Sequence, residues 1–193
     1  MKKFISNLFL LTSSFLLSSC GAEQEFTSWP CRFIYDNSIH LDQTLATATN
    51  SASSGIFCKI TQTVKGGTKY LVFENNQGLS STQIETATEI RSNLRLGLNN
   101  GIIVGFQNFG GFVAYDIQCI NCVYKENNFS NPNYRLTMDQ KGTGIATCSK
   151  CGKQYDLNNG GLIVNGEQGD RSLQPYRNAQ TSGPQGVTTV LSE

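Results

Sequence analysis

Histidine is nearly missing from this chain: among 193 residues only His40 carries an imidazole. That excludes the histidine pairs on which many metal sites rest. It also leaves serine, threonine and cysteine without an imidazole base, so a non-catalytic role is expected. His40 itself reads as an exposed or hydrogen-bonded loop residue. Charge is sparse as well. Asp, Glu, Lys and Arg make up 15% of the chain and the formal net charge is +1. Nucleic acid is therefore not an expected partner. Runs rich in Ala, Leu, Glu and Lys are scarce, which argues against a helical bundle. The Gly105-Phe106 and Gly110-Gly111 steps are too sparse for a phosphate cradle and read as turns. Long apolar runs are lacking too. Leu8 to Leu17 is the longest, broken by Thr12, Ser13 and Ser14, and too short to cross a bilayer as a mature helix.

What is present at the N-terminus is a targeting pattern. Lys2 and Lys3 precede the apolar stretch, and Leu17-Ser18-Ser19-Cys20 follows it, with the small residue Gly21 next. This resembles a bacterial lipoprotein signal. The resemblance implies cleavage after residues 1–19 and a lipid anchor on Cys20, which would place the protein in the cell envelope, attached to a membrane. Removal of the leader takes away Lys2 and Lys3 and no acid, so the net charge moves to about −1. Residues 20–29 then read as a tether, 30–180 as a single domain and 181–193 as a polar tail in which Val187–Leu191 could add an edge strand.

Seven cysteines are present. Four form matched pairs, Cys119-Ile120-Asn121-Cys122 and Cys148-Ser149-Lys150-Cys151, with 25 residues between the pairs. Two C-x-x-C knuckles at such a distance can supply the four sulfurs of a tetrahedral thiolate site. Cys31 and Cys58 lie outside the knuckles on two predicted strands. In an exported chain a Cys31–Cys58 disulfide is the expected state. It would close a loop of 26 intervening residues and contribute about 3 kcal/mol in the chain-entropy view. The alternative is two buried, reduced cysteines serving as small hydrophobes.

The remainder reads as β structure. Cys31–Tyr35, Ile56–Gln62, Lys69–Glu74, 101–106, 111–116, 162–164 and Leu173–Tyr176 are short apolar segments bounded by turn residues. Lys65-Gly66-Gly67, Asn99-Asn100-Gly101 and Asn159-Gly160-Gly161 tolerate the positive φ of tight hairpins. Only Ser80–Leu96 has room for a helix, opening at Ser80 and Ser81 with Glu85 nearby.

The order of these parts resembles the Rieske iron–sulfur domain over roughly residues 100 to 178. Phe112-Val113-Ala114-Tyr115-Asp116 precedes the first knuckle. After the second come Gly152, Tyr155-Asp156, the Asn159-Gly160-Gly161 turn and Leu173-Gln174-Pro175-Tyr176. The resemblance implies a mostly β, antiparallel sandwich or barrel with two metal-binding loops and at most one or two short helices. It also implies that Tyr155 donates a hydrogen bond to a site sulfur, and that the Tyr-Asp pairs support the loops. One departure is decisive. A Rieske cluster takes two histidines, yet here Asn121 and Cys151 stand at the histidine positions, so that cluster cannot form.

Cys119, Cys122, Cys148 and Cys151 therefore remain as candidate ligands. Zinc is the favoured ion. Mononuclear iron, as in rubredoxin, and an all-cysteine [2Fe–2S] cluster are the alternatives, as are disulfides without metal. Zinc implies a structural role and an unknown envelope partner. Iron implies a small electron carrier with a redox partner. Bond lengths of about 2.3 Å predict sulfurs 3.5–4 Å apart around one ion, against about 2.05 Å in a disulfide.

Overall fold

The computed structural model describes residues 25–129 and 134–192. The expected leader and Cys20, the expected lipidation site, lie outside the described residues. Among those described, twelve strands form three antiparallel sheets. The fold is mostly β, as expected, and no sheet closes into a barrel.

The central sheet has five strands: β2 (Phe57–Lys65), β3 (Thr68–Asn75), β4 (Ser80–Ile84), β5 (Gly101–Phe106) and β6 (Phe112–Asp116), in the order β4-β3-β2-β5-β6. A two-residue turn joins β2 to β3. Gly66 and Gly67 both take positive φ, 57° and 81°, which matches the right-handed twist of the flanking strands. β5 shows no apolar–polar alternation, because both of its faces are buried. Ile102 and Val104 enter one core with Phe33, Leu71 and Val190. Ile103 enters a second core with Phe57, Tyr115, Tyr155 and the knuckle cysteines Cys119, Cys122 and Cys148. The central sheet is thus the wall between two cores.

The first core is closed by β1 (Cys31–Asp36), β11 (Asn178–Thr181) and β12 (Val187–Ser192), ordered β1-β12-β11. Here the expected tail is corrected. β12 is the middle strand of this sheet, neither a tail nor an edge, and Val190 is fully buried. The polar residues of 181–193 mask an alternation in which Thr188 and Val190 face inward. The described end of the tether, residues 25–29, is corrected likewise. Trp29 is buried in the second core, and Thr27 N–H donates to the Pro175 carbonyl.

The Cys31–Cys58 disulfide is also corrected. Both cysteines are free thiols. They come from different sheets and enter the first core as small apolar side chains. Cys58 Sγ meets the Lys59 carbonyl at 3.7 Å. Burial pushes the Cys31 thiol up to about 12 and the Cys58 thiol up as well.

The second core is closed by β7 (Leu136–Met138), β8 (Ile145–Cys148), β9 (Gln154–Asp156) and β10 (Leu162–Ile163), paired in chain order. Leu173–Tyr176 forms no named strand. It contributes a single bridge, Tyr115 to Pro175.

Among the described residues the helices are short but number four, beyond the one or two expected: α1 (Asn37–His40), α2 (Gln43–Ala48), α3 (Ala87–Ser92) and α4 (Ile120–Glu126). The Ser80–Leu96 segment divides. Its first part pairs with β3 as β4, where Ser, Thr and Ile suit an edge strand. The helix starts later, at a capping box of Thr86 and Glu89 rather than at Ser80. His40 is hydrogen-bonded, as expected, but not exposed. Its Nε2 lies 2.9 Å from Glu89 Oε1, and its ring stacks on Tyr35. Among the described residues no helix is long and apolar enough to cross a membrane.

Candidate metal centre

The two knuckles are built differently. β6 leaves the central sheet at Asp116, whose carboxylate organises the chain on either side of the sheet edge. Oδ1 accepts from the Gln118 N–H at 2.8 Å. Oδ2 accepts from the Leu98 N–H and the Tyr176 hydroxyl, each at 2.8 Å. Burial pushes this carboxyl up to about 6, against the pull of those three donors. Cys119 N–H then donates to the Tyr134 carbonyl at 2.7 Å, and Cys119 becomes the N-cap of α4 without using its sulfur as a cap. Cys122 lies three residues further on, on the same face of the first turn. The first knuckle is therefore a helix start and not a hairpin tip. That explains why Val123 comes next instead of glycine: the chain continues in helix, and Val123 is fully buried.

The second knuckle is a hairpin tip. Cys148 ends β8, and its N–H donates to the Lys153 carbonyl at 2.9 Å, while Gly152 N–H returns to the Cys148 carbonyl at 3.0 Å. Gly152 takes φ +69°, a conformation that other L residues enter at a cost. Around the tip, the Lys150 ammonium pairs with Glu126 of α4 and lies over the Tyr134 ring. The hairpin is thereby tied to the helix that carries the first knuckle.

The four sulfurs converge. Cys119 Sγ lies 3.8 Å from Cys151 Sγ, and Cys122 Sγ lies 3.7 Å from Cys148 Sγ. All four ligand atoms lie within 4.8 Å of one another. No pair is at bonding distance, so the structure holds no cross-loop disulfide. Four thiolates at about 2.3 Å from a common ion would have tetrahedral edges of about 3.8 Å. The closest pairs meet that figure, and the arrangement could hold a metal ion.

The Cys148 thiol is held down to about 5 by hydrogen bonding from Cys119 and from backbone N–H groups. Cys119 is pushed up by donating that bond and by burial. Burial and its sulfur neighbours push Cys122 up to about 12.

Exposure is uneven. Cys119, Cys122 and Cys148 are buried and Cys151 is exposed. It opens onto a cleft of about 680 Å³ that Lys125, Glu126, Lys150, Glu167 and Arg171 also border. On the buried side the Tyr155 hydroxyl lies 3.1 Å from Cys119 Sγ, the contact that the sequence leads one to expect. Asp156, the other member of that pair, accepts from the Asn158 N–H at 3.0 Å and caps the turn after β9.

Several residues at the site carry no signal in the sequence. Asn121 reads there only as a missing histidine, yet it bonds Tyr155 and Arg171. Trp29 and Tyr134 help wall the sulfurs. Long-range packing of this kind has no local spacing to betray it. Among known proteins the chain matches no family model, no curated protein and no solved structure.

Proposed function

We propose that this protein is a lipid-anchored envelope protein whose Rieske-like domain holds one zinc ion on Cys119, Cys122, Cys148 and Cys151, in a structural and non-catalytic role. The observation that carries the reading is the sulfur geometry, with its closest pairs at 3.7 and 3.8 Å. Each of those pairs joins one knuckle to the other. The ion would therefore clamp the start of α4 to the β8–β9 hairpin and close the second core. Compactness favours a single ion over a [2Fe–2S] cluster. Thiolates on different irons must be separated further by the spacing of the two metals, and these four fit within 4.8 Å. The strand order around the knuckles supports the Rieske-like reading. β6 with its Tyr115-Asp116 end leads into the first knuckle, and β9 with Tyr155-Asp156 leaves the second.

A second reading places one iron on the same thiolates as an electron carrier. Two observations favour it: the exposed edge at Cys151, where an electron could enter, and the Tyr155 hydroxyl beside Cys119, since hydrogen bonds to sulfur tune a potential.

Elemental analysis of full-length protein prepared without oxygen tests both. Zinc at one per chain and no visible colour supports the first reading. Iron at one per chain with thiolate-to-iron absorption supports the second. Neither metal above background, even after offering each, overturns the site. The lipid anchor is tested separately, by partition of the protein into detergent and its loss in a Cys20→Ser variant.

A further inference from the structure

Asn121 stands between the two ligands of the first knuckle, and its amide faces three partners. Its Oδ1 accepts from the Arg171 N–H at 2.8 Å. A backbone N–H can only donate, so the oxygen of the amide is fixed on that side. Nδ2 then has two hydrogens to place. One goes to the Arg171 carbonyl at 2.8 Å and the other to the Tyr155 hydroxyl at 2.9 Å. The Tyr155 oxygen thus already accepts from Asn121. Its single hydrogen is left to point at Cys119 Sγ, 3.1 Å away.

We infer that Asn121 is the positioning residue of the centre: its amide sets the Tyr155 hydroxyl as an obligatory donor to the Cys119 sulfur and latches the 165–171 segment to the first knuckle. This rests on the proposed four-cysteine metal site and adds to it a direction. One ligand of the four receives a fixed hydrogen bond, and another, Cys151, faces the cleft. The same segment is held from its other side. Lys153 Nζ lies 2.7 Å from Asp170 Oδ2, and Asn165 Nδ2 donates to the Gly152 carbonyl at 2.9 Å. The segment is therefore pinned to both knuckles, and Asn121 is the pin that also reaches a sulfur. A thiolate that accepts a hydrogen bond holds its lone pairs more tightly, and groups that orient ligands in this way commonly alter metal affinity by about 10-fold to 100-fold.

The test uses the full chain loaded with Co(II), whose thiolate charge-transfer absorption reports on the sulfurs. Asn121→Asp keeps an acceptor for the Arg171 N–H but offers no donor, so the Tyr155 hydrogen turns to the carboxylate. The expected result is a charge-transfer band at longer wavelength and cobalt affinity about tenfold weaker. Tyr155→Phe moves the band in the same direction, and the double variant moves it no further than Tyr155→Phe alone. Asp170→Asn loosens the same segment without touching the relay and leaves the band in place. The relay is overturned if Asn121→Asp keeps the wild-type band while Tyr155→Phe shifts it. The latch is read separately by amide exchange at Arg171, expected to be faster in Asn121→Leu; unchanged exchange overturns it. A full chain that takes up no cobalt sinks the metal reading by itself, and the latch is still decided by the Arg171 exchange.

Discussion

Cys122 Sγ lies 3.7 Å from Cys148 Sγ, one at the start of α4 and the other at the end of β8. The pair spans the two halves of the second core. An ion on these sulfurs would add a tie between the two elements. The Glu126–Lys150 pair is one such tie, but it is largely exposed and such pairs contribute little.

Serine replacement at Cys119, Cys122 or Cys148 should therefore abolish stoichiometric metal binding. The loss is expected to be on the order of 3 kcal/mol, which lowers Tm by about 6–12 °C in a domain of this size. Cys151→Ser should be milder, because that corner is exposed and water can take the vacant position. Metal analysis paired with thermal melting reads both. If all four serine variants keep full metal and the wild-type Tm, the assignment of ligands is wrong.

Cys31 and Cys58 should behave as buried thiols. A phosphine reductant is expected to leave Tm unchanged, since no bridge holds the fold. Mass spectrometry after denaturation, chelation and alkylation should find both labelled. Cys58→Ser puts a hydroxyl into the first core and should cost about 1–3 kcal/mol. A Tm that falls sharply on reduction alone would mean that the two are bridged.

Asp116 supplies a pH dependence of definite sign. Its folded-state value, about 6, lies above the ordinary 3.8 because of burial. Between those values the folded chain holds a proton that the unfolded chain has lost. The stability contributed by this proton is present in full below pH 4 and is lost as pH rises through 6, a change of about 3 kcal/mol. The stability difference between wild type and Asp116→Asn should thus move in favour of wild type as pH falls from 7 to 4, and both keep the same four knuckle cysteines. Carboxyl carbon resonances should give Asp116 a midpoint near 6. A midpoint near 4, with a flat difference curve, contradicts this.

The parts of the fold that sequence reveals are those with local causes. Gly66-Gly67 announces a hairpin through backbone conformation, and the 101–106 run announces a strand, which the structure buries on both faces. The C-x-x-C spacing announces the convergent sulfurs because two thiols on one turn already share a direction. What stays hidden depends on distant partners. Nothing near Cys119 indicates that its knuckle is a helix start, since Ile120, Asn121 and Val123 have no strong helical bias. Ser80 and Ser81 look like caps, but β3 claims them as a strand. Trp29 resembles a tether residue until the second core is seen to need it.

The C-terminal segment offers the sharpest case, because its polar composition misleads. β12 pairs with β1 from Val187↔Asp36 to Ser192↔Cys31 and with β11 on its other edge. Removing 187–193 would take away the middle strand, leaving β1 and β11 without the strand that pairs with both and the first core open beside Phe33 and Val104. Unpaired backbone groups at that depth are costly. Such a truncated chain is expected to lose cooperative unfolding and to expose thiols that are buried in the intact protein. Val190→Ala is the finer probe. Val190 is fully buried, so the lost methyl groups should cost about 2 kcal/mol while metal binding at the far core persists. A truncated chain that melts like the intact one would mean that β12 is dispensable and that the first sheet is held by β1 and β11 alone.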